Sequence, residues 1–155
     1  MRLGDWLASG DLQKQAASAQ EIRRLWEVVG RDLADAGVGG LTTDRRFNTA
    51  YDAAYGLATI VLRAAGYRVR GSSAGHHWLT FAALPELLGP GAEARARYYQ
   101  ACRRKRHQAT YERAGVATAV EVEALLADVG EFRKAVEAWL RERRPELAPG
   151  EHKRR

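Results

Sequence analysis

Arg95–Arg113 reads RARYYQACRRKRHQATYER. It holds seven of the chain's 25 Lys and Arg residues and one acid, Glu112, so its net of +6 equals the formal net charge of all 155 residues. The excess charge therefore lies on one segment, with bases and acids in balance elsewhere. At about 100° per residue, Ala94, Tyr98, Ala101, Cys102 and Ala109 fall on one stripe, with Lys105 in its middle. Arg95, Tyr99, Arg106 and Thr110 form a flanking stripe, and Arg103 and His107 lie one turn apart further round. The pattern predicts a helix packed through Tyr98, Ala101 and Cys102, with a separate face of arginine, tyrosine and histidine. A solvated basic face is the plainer reading of such a run.

Working outward, steps of three and four residues predict four more helices. The first spans about Leu12–Ala36 and ends at Gly37, after a short cap formed by Leu3, Trp6 and Leu7. The second spans about Asp44–Ala65, with Thr42 or Thr43 as N-cap and Asp44 favourable at the positive end of the helix dipole. A polar loop, Tyr67–Gly75, leads to a short third helix, His76–Leu88, which Pro85 must bend or end. The basic helix is the fourth, about Ala92–Tyr111. Thr118 with Glu121 makes a capping box for the fifth, which Pro145 ends. No segment alternates with the period of a strand. The expected fold is an all-α antiparallel bundle of four long helices and one short one, as a single domain over residues 1–147 with a disordered charged tail at 148–155.

Composition narrows the function. Cys102 is the one cysteine, so no internal disulfide can form, and its place on the apolar stripe predicts a core role. No run reaches the roughly 20 apolar residues of a membrane span. The start, MRLGDWLASGD, lacks the basic and apolar regions of a secretory signal, and a cytoplasmic protein is expected. A pI of about 9.8 favours an acidic partner, nucleic acid first. The adjacent His76 and His77 point apart on a helix and have no third ligand at metal spacing, so neither metal nor cofactor is expected. Tyr51 and Tyr55 read as core or interface positions.

The order of segments resembles the HEPN superfamily, and within it a bacterial branch. A helix reading AYDAAYGLATIVLRAAGYR leads to a histidine-initiated GHHWLTFAALPELLG, then to a helix in which arginine precedes a polar residue. The resemblance covers about Leu12–Leu140 and implies a four-helix up-and-down bundle, commonly dimeric. The family signature is arginine, then Asn, Asp or His, then a short spacer and histidine. Arg106 and His107 match its first two positions, and Tyr111 stands at the third.

Active HEPN proteins are metal-independent ribonucleases in which the ribose 2′-hydroxyl attacks its own phosphate. A histidine can move the proton, and an arginine can meet the phosphoryl oxygens bidentately. Tyrosine has a pKa of about 10, which makes Tyr111 a poor base. The resemblance therefore implies a dimeric module that binds RNA or a protein partner through Arg95, Arg103, Arg104, Lys105 and Arg106. A nucleotidyltransferase-type antitoxin is one such partner. The alternative is an active ribonuclease toxin using Arg106 and His107, assisted by Tyr111 or Arg103.

Overall fold

A computed structural model of the chain describes residues 2–70 and 75–150. In order, its elements are α1 (Arg2–Ser9), β1 (Leu12–Lys14), α2 (Ala19–Ala36), α3 (Thr43–Ala64), β2 (Tyr67–Val69), α4 (His76–Ala82), α5 (Leu84–Leu88), α6 (Glu93–Tyr111) and α7 (Ala119–Arg143). Single turns of 3₁₀-helix at Pro90–Ala92 and Pro145–Leu147 precede α6 and follow α7. The fold is the expected all-α helical bundle, joined by one small antiparallel ribbon.

Two helices begin where their capping residues place them. Thr42 accepts from the Arg45 amide at the start of α3, and Thr118 and Glu121 close both bonds of the capping box on α7. Each satisfies backbone donors that the first turn of a helix leaves without partners.

The first long helix is shorter than its apolar spacing predicts. Ser18 caps α2 by accepting from the Glu21 amide at 3.0 Å. Residues 12–14 instead form β1, paired with β2 in the register Leu12↔Val69, Gln13↔Arg68 and Lys14↔Tyr67. Arg63 supplies the physical reason. Its guanidinium donates to the carbonyls of Gln15 at 2.9 Å, Tyr67 at 2.8 Å and Ala16 at 3.4 Å. It also grips both Glu21 carboxylate oxygens, at 2.8 and 3.1 Å. Carbonyls that a continuous helix would use are thereby taken by a side chain, and the polar loop after α3 becomes a strand.

Helix α3 is the axis of the bundle. Arg46 reaches the Ala36 carbonyl and Arg63 reaches Glu21, so α2 runs antiparallel to α3. Arg106 and Thr110 of α6 meet Asp52 and Asn48, which makes α6 antiparallel to α3 as well. Thr43 and Ala64 bond the two ends of α7, through the Ala117 carbonyl and Arg144, so α7 runs parallel to α3. The core joins Ile22, Trp26 and Val29 to Phe47, Tyr51, Leu57, Ile60 and Phe81, and to Tyr99, Leu125, Phe132 and Leu140. A smaller cluster of Leu3, Leu12, Leu62, Leu79 and Ala83 seats α1 and the ribbon on the bundle.

The expected third helix divides at Ala83, with Pro85 in the first turn of α5. The first residues of the expected tail are ordered on the bundle: Leu147 before them is buried, Ala148 packs on the core, and the Pro149 carbonyl accepts from Arg141. Residues 151–155, the rest of the expected tail, lie outside the described residues.

Candidate functional site

The basic helix α6 runs unbroken to Tyr111, but its buried face is turned from the expected stripe. Ala96, Tyr99 and Cys102 are buried, whereas Ala94 and Ala101 are exposed and Tyr98 is half-buried. A polar anchor selects that rotation. Asp128 of α7 accepts from the Tyr99 hydroxyl and from Arg95, and the Arg95 guanidinium lies 5.3 Å over the Phe132 ring. A buried phenol needs such an acceptor, and spacing alone does not reveal which of two adjacent tyrosines has one. Burial pushes the Cys102 thiol up to about 12, which keeps it a protonated core group.

The cations of α6 divide by partner. Arg95 pairs with Asp128 at 3.2 Å, and Lys105 pairs with Glu121 at 3.1 Å. The lysine in the apolar stripe thus finds its counter-charge on α7, within the same chain. Among the described residues Arg97, Arg103 and Arg104 have no carboxylate partner, and Arg103 donates to Gln100 at 3.0 Å. Arg106 is different again. Its Nε lies 3.4 Å from Asp52 Oδ1, is buried and makes no aligned hydrogen bond. Its guanidinium sits 5.5 Å over the Tyr51 ring, within cation–π range.

Tyr51 leads into a polar cluster where α3, α4 and α6 meet. Its hydroxyl is 2.7 Å from Nδ1 of His77. The His77 ring stacks on Tyr55, with centroids 3.8 Å apart and planes inclined by 8°. Phe81 closes the edge of both tyrosine rings. Burial, followed by the positive field of Arg106 and Arg103, holds His77 down to about 4, so the imidazole is neutral near pH 7. Burial also raises the Tyr51 hydroxyl above its ordinary value, against the pull of the same arginines. The Asp52 carboxyl is raised chiefly by burial and drawn down by Arg106.

The two sequence-matched partners of Arg106 lie elsewhere. The rings of His107 and Tyr111 meet at a tilt of 49°, with centroids 4.9 Å apart, on the outer side of α6, and Tyr111 is 70% exposed. His107 Nε2 is 3.9 Å from Glu112, and its side chain is 62% exposed. Arg106 faces α3, so the three motif residues do not converge within one chain. Sequence reasoning weighs His77 only as a metal ligand and reads Tyr51 and Tyr55 as core or interface positions; Tyr51 is indeed buried, and the joining of these residues with Asp52 in one cluster is not foreseen. The one available signal was a pair of tyrosines a turn apart, Tyr51 and Tyr55, in a helix otherwise rich in alanine.

Among the described residues no group of three or more His, Cys, Asp or Glu side chains could hold a metal ion. No described helix is long and apolar enough to cross a membrane. Comparison with protein-family models, with curated proteins and with solved structures gives no match to the chain.

Proposed function

We propose that the chain is an RNA-binding helical module of the HEPN type that meets phosphates through α6. The observation that carries the reading is the set of cations left after internal pairing. Arg97, Arg103 and Arg104 have no carboxylate partner among the described residues, and Arg106 beside them has an unaligned one. Arginines in that state keep their forked donors for phosphate oxygens. Arg95 and Lys105 are engaged with α7 and serve the site by fixing the rotation of the helix.

The alternative, a metal-independent ribonuclease using Arg106 and His107, has less support. His107 is directed to solvent and Glu112, and a base and an acid must both reach the reacting atoms. A two-fold homodimer, a toxin–antitoxin role and a nucleotidyltransferase-type partner rest on the family resemblance and are proposed on that footing.

Fluorescence anisotropy with a labelled single-stranded RNA, over a series of salt concentrations, tests the reading. If about four phosphates are neutralised, the log–log slope is roughly −3. Arg103→Ala and Arg104→Ala each lower the slope by about 0.7, one phosphate's share. Absence of binding at low salt, or a flat salt response, rejects the reading.

A further inference from the structure

We infer that the junction of α3, α4 and α6 is an oxyanion site. In it an RNA phosphodiester between Arg103 and Arg106 takes its third contact from the imidazolium of His77, so that RNA binding tightens as pH falls. The inference rests on α6 being the RNA-contacting element and adds to it a residue from another helix and a proton.

The geometry begins with the ring itself. Tyr55 covers one face of His77 at 3.8 Å, and the Tyr51 hydroxyl takes Nδ1 at 2.7 Å. Two contacts thus fix the ring's plane and its rotation, and one nitrogen is left. Among the described residues Nε2 has no hydrogen-bond partner. When the ring is neutral, either the phenol or Nδ1 donates across that contact. When it is protonated, Nδ1–H donates to the tyrosine oxygen and Nε2–H becomes a charged donor.

The charges around the ring favour an anion. From α6 come Arg103 and Arg106, from α4 comes His76, and from α3 come Tyr51, Tyr55 and Asp52. Asp52 is the one carboxylate in that set, and burial draws it toward its neutral form. Its contact with Arg106 is the unaligned one, so a well-aligned phosphate oxygen can compete with it for the guanidinium. Two guanidinium groups now repel a proton from His77. A phosphate placed between them offsets both fields, and that part of the depression of His77 is relieved, although the part due to burial remains.

The test follows the His77 imidazole by nitrogen–proton correlation spectra of the full chain, from about pH 3 to pH 8, a range that spans its free midpoint of about 4. Spectra are recorded for the protein alone, with sulfate, and with a short oligouridylate whose diesters and bases keep their charge over this range. Calorimetry gives the oligouridylate affinity at the same pH values for the wild type and for His77→Gln. The expected result is a rise of at least about one unit in the His77 midpoint when oligouridylate is bound. By linkage the RNA then binds the protonated form about tenfold more tightly. Affinity in the wild type climbs as pH is lowered, and His77→Gln removes that climb.

If oligouridylate binds through α6 but the His77 midpoint stays in place, the inference is overturned and the RNA reading stands. A sulfate-induced rise without RNA binding upholds the oxyanion site and rejects RNA as its occupant. Where neither anion moves the midpoint and RNA does not bind, both readings fall. The wild-type spectra decide the matter even if His77→Gln does not fold.

Discussion

Replacing Arg63 by alanine removes a guanidinium that is 4% exposed and that holds α2, α3 and both strands of the ribbon together. Three backbone carbonyls and one carboxylate lose a donor at once. Removing one partner of a buried ion pair costs about 3–5 kcal/mol. Glu21 is 32% exposed and keeps Arg68 at 3.3 Å, so its own rehydration moderates the loss. The carbonyls of Gln15, Ala16 and Tyr67 act in the other direction, at about 1 kcal/mol for each one left unsatisfied. The expected destabilisation is about 3–5 kcal/mol, a fall in Tm of roughly 6–20 °C for a chain of this size. Urea unfolding followed by far-ultraviolet circular dichroism measures it. Acid supplies a second check. The hydrogen bond from Arg63 holds the Glu21 carboxyl below its ordinary value of 4.5. The Glu21 share of the clamp's stabilisation is therefore complete above that value and is lost as pH falls through the lowered one, so the gap between wild type and Arg63→Ala narrows in acid to the share held by the carbonyls. A loss under about 1 kcal/mol, the scale of an exposed ion pair, or a gap unchanged in acid, would refute the clamp.

Four further outcomes are expected. Gly56→Ala places a methyl 2.8 Å from Val29 Cγ2, where α3 packs on α2; overpacking of about 1–3 kcal/mol outweighs the helix-propensity gain, and adding Val29→Ala gives a double variant more stable than the two single losses sum to. His77 is held down from 6.5 to about 4, so the unfolded chain binds the extra proton between those values and stability falls as pH drops through that window; His77→Gln flattens the decline in calorimetric melts. Tyr111→His would complete the signature that the sequence resembles, yet with that position on the outer face the change leaves metal-independent RNA cleavage unraised; a gain in cleavage measured with chelator present overturns the preference for a binding module. Light scattering at micromolar concentration is expected to give twice the 17.2 kDa chain mass, and a monomeric value removes the dimer.

Much of the bundle could be read from local chemistry. Thr42 and Thr118 mark helix starts because their bonds lie within three residues, a distance that sequence displays. Long-range chemistry was hidden. Nothing near Leu12 shows that Arg63 will claim the carbonyls of Gln15 and Ala16, so the apolar spacing of residues 12–19 passed for a helix. Likewise Tyr98 and Tyr99 are adjacent and chemically alike, and Asp128 decides which of them faces inward. At the candidate site, Arg103 and Arg106 were visible as members of a charged run. His77 was legible only as half of a poor metal pair, because it enters from a separate helix and meets Tyr51 across 26 residues of chain.

The central place of α3 has a consequence for how the molecule breathes. It is packed by α2, α4, α5, α6 and α7, and Leu57, Ile60 and Val61 have no exposed surface. Amide hydrogens along this stretch meet solvent deuterium only when the whole bundle opens, so their exchange rates report global stability. At the far end of α6, Gln108, Thr110 and Tyr111 are exposed, and their amides exchange by local fraying. Arg103 and Arg106 lie between these regimes, two turns or less from a fraying end and one helix away from the slowest-exchanging residues. Fraying at that end of α6 can thus proceed on a timescale that leaves the core closed.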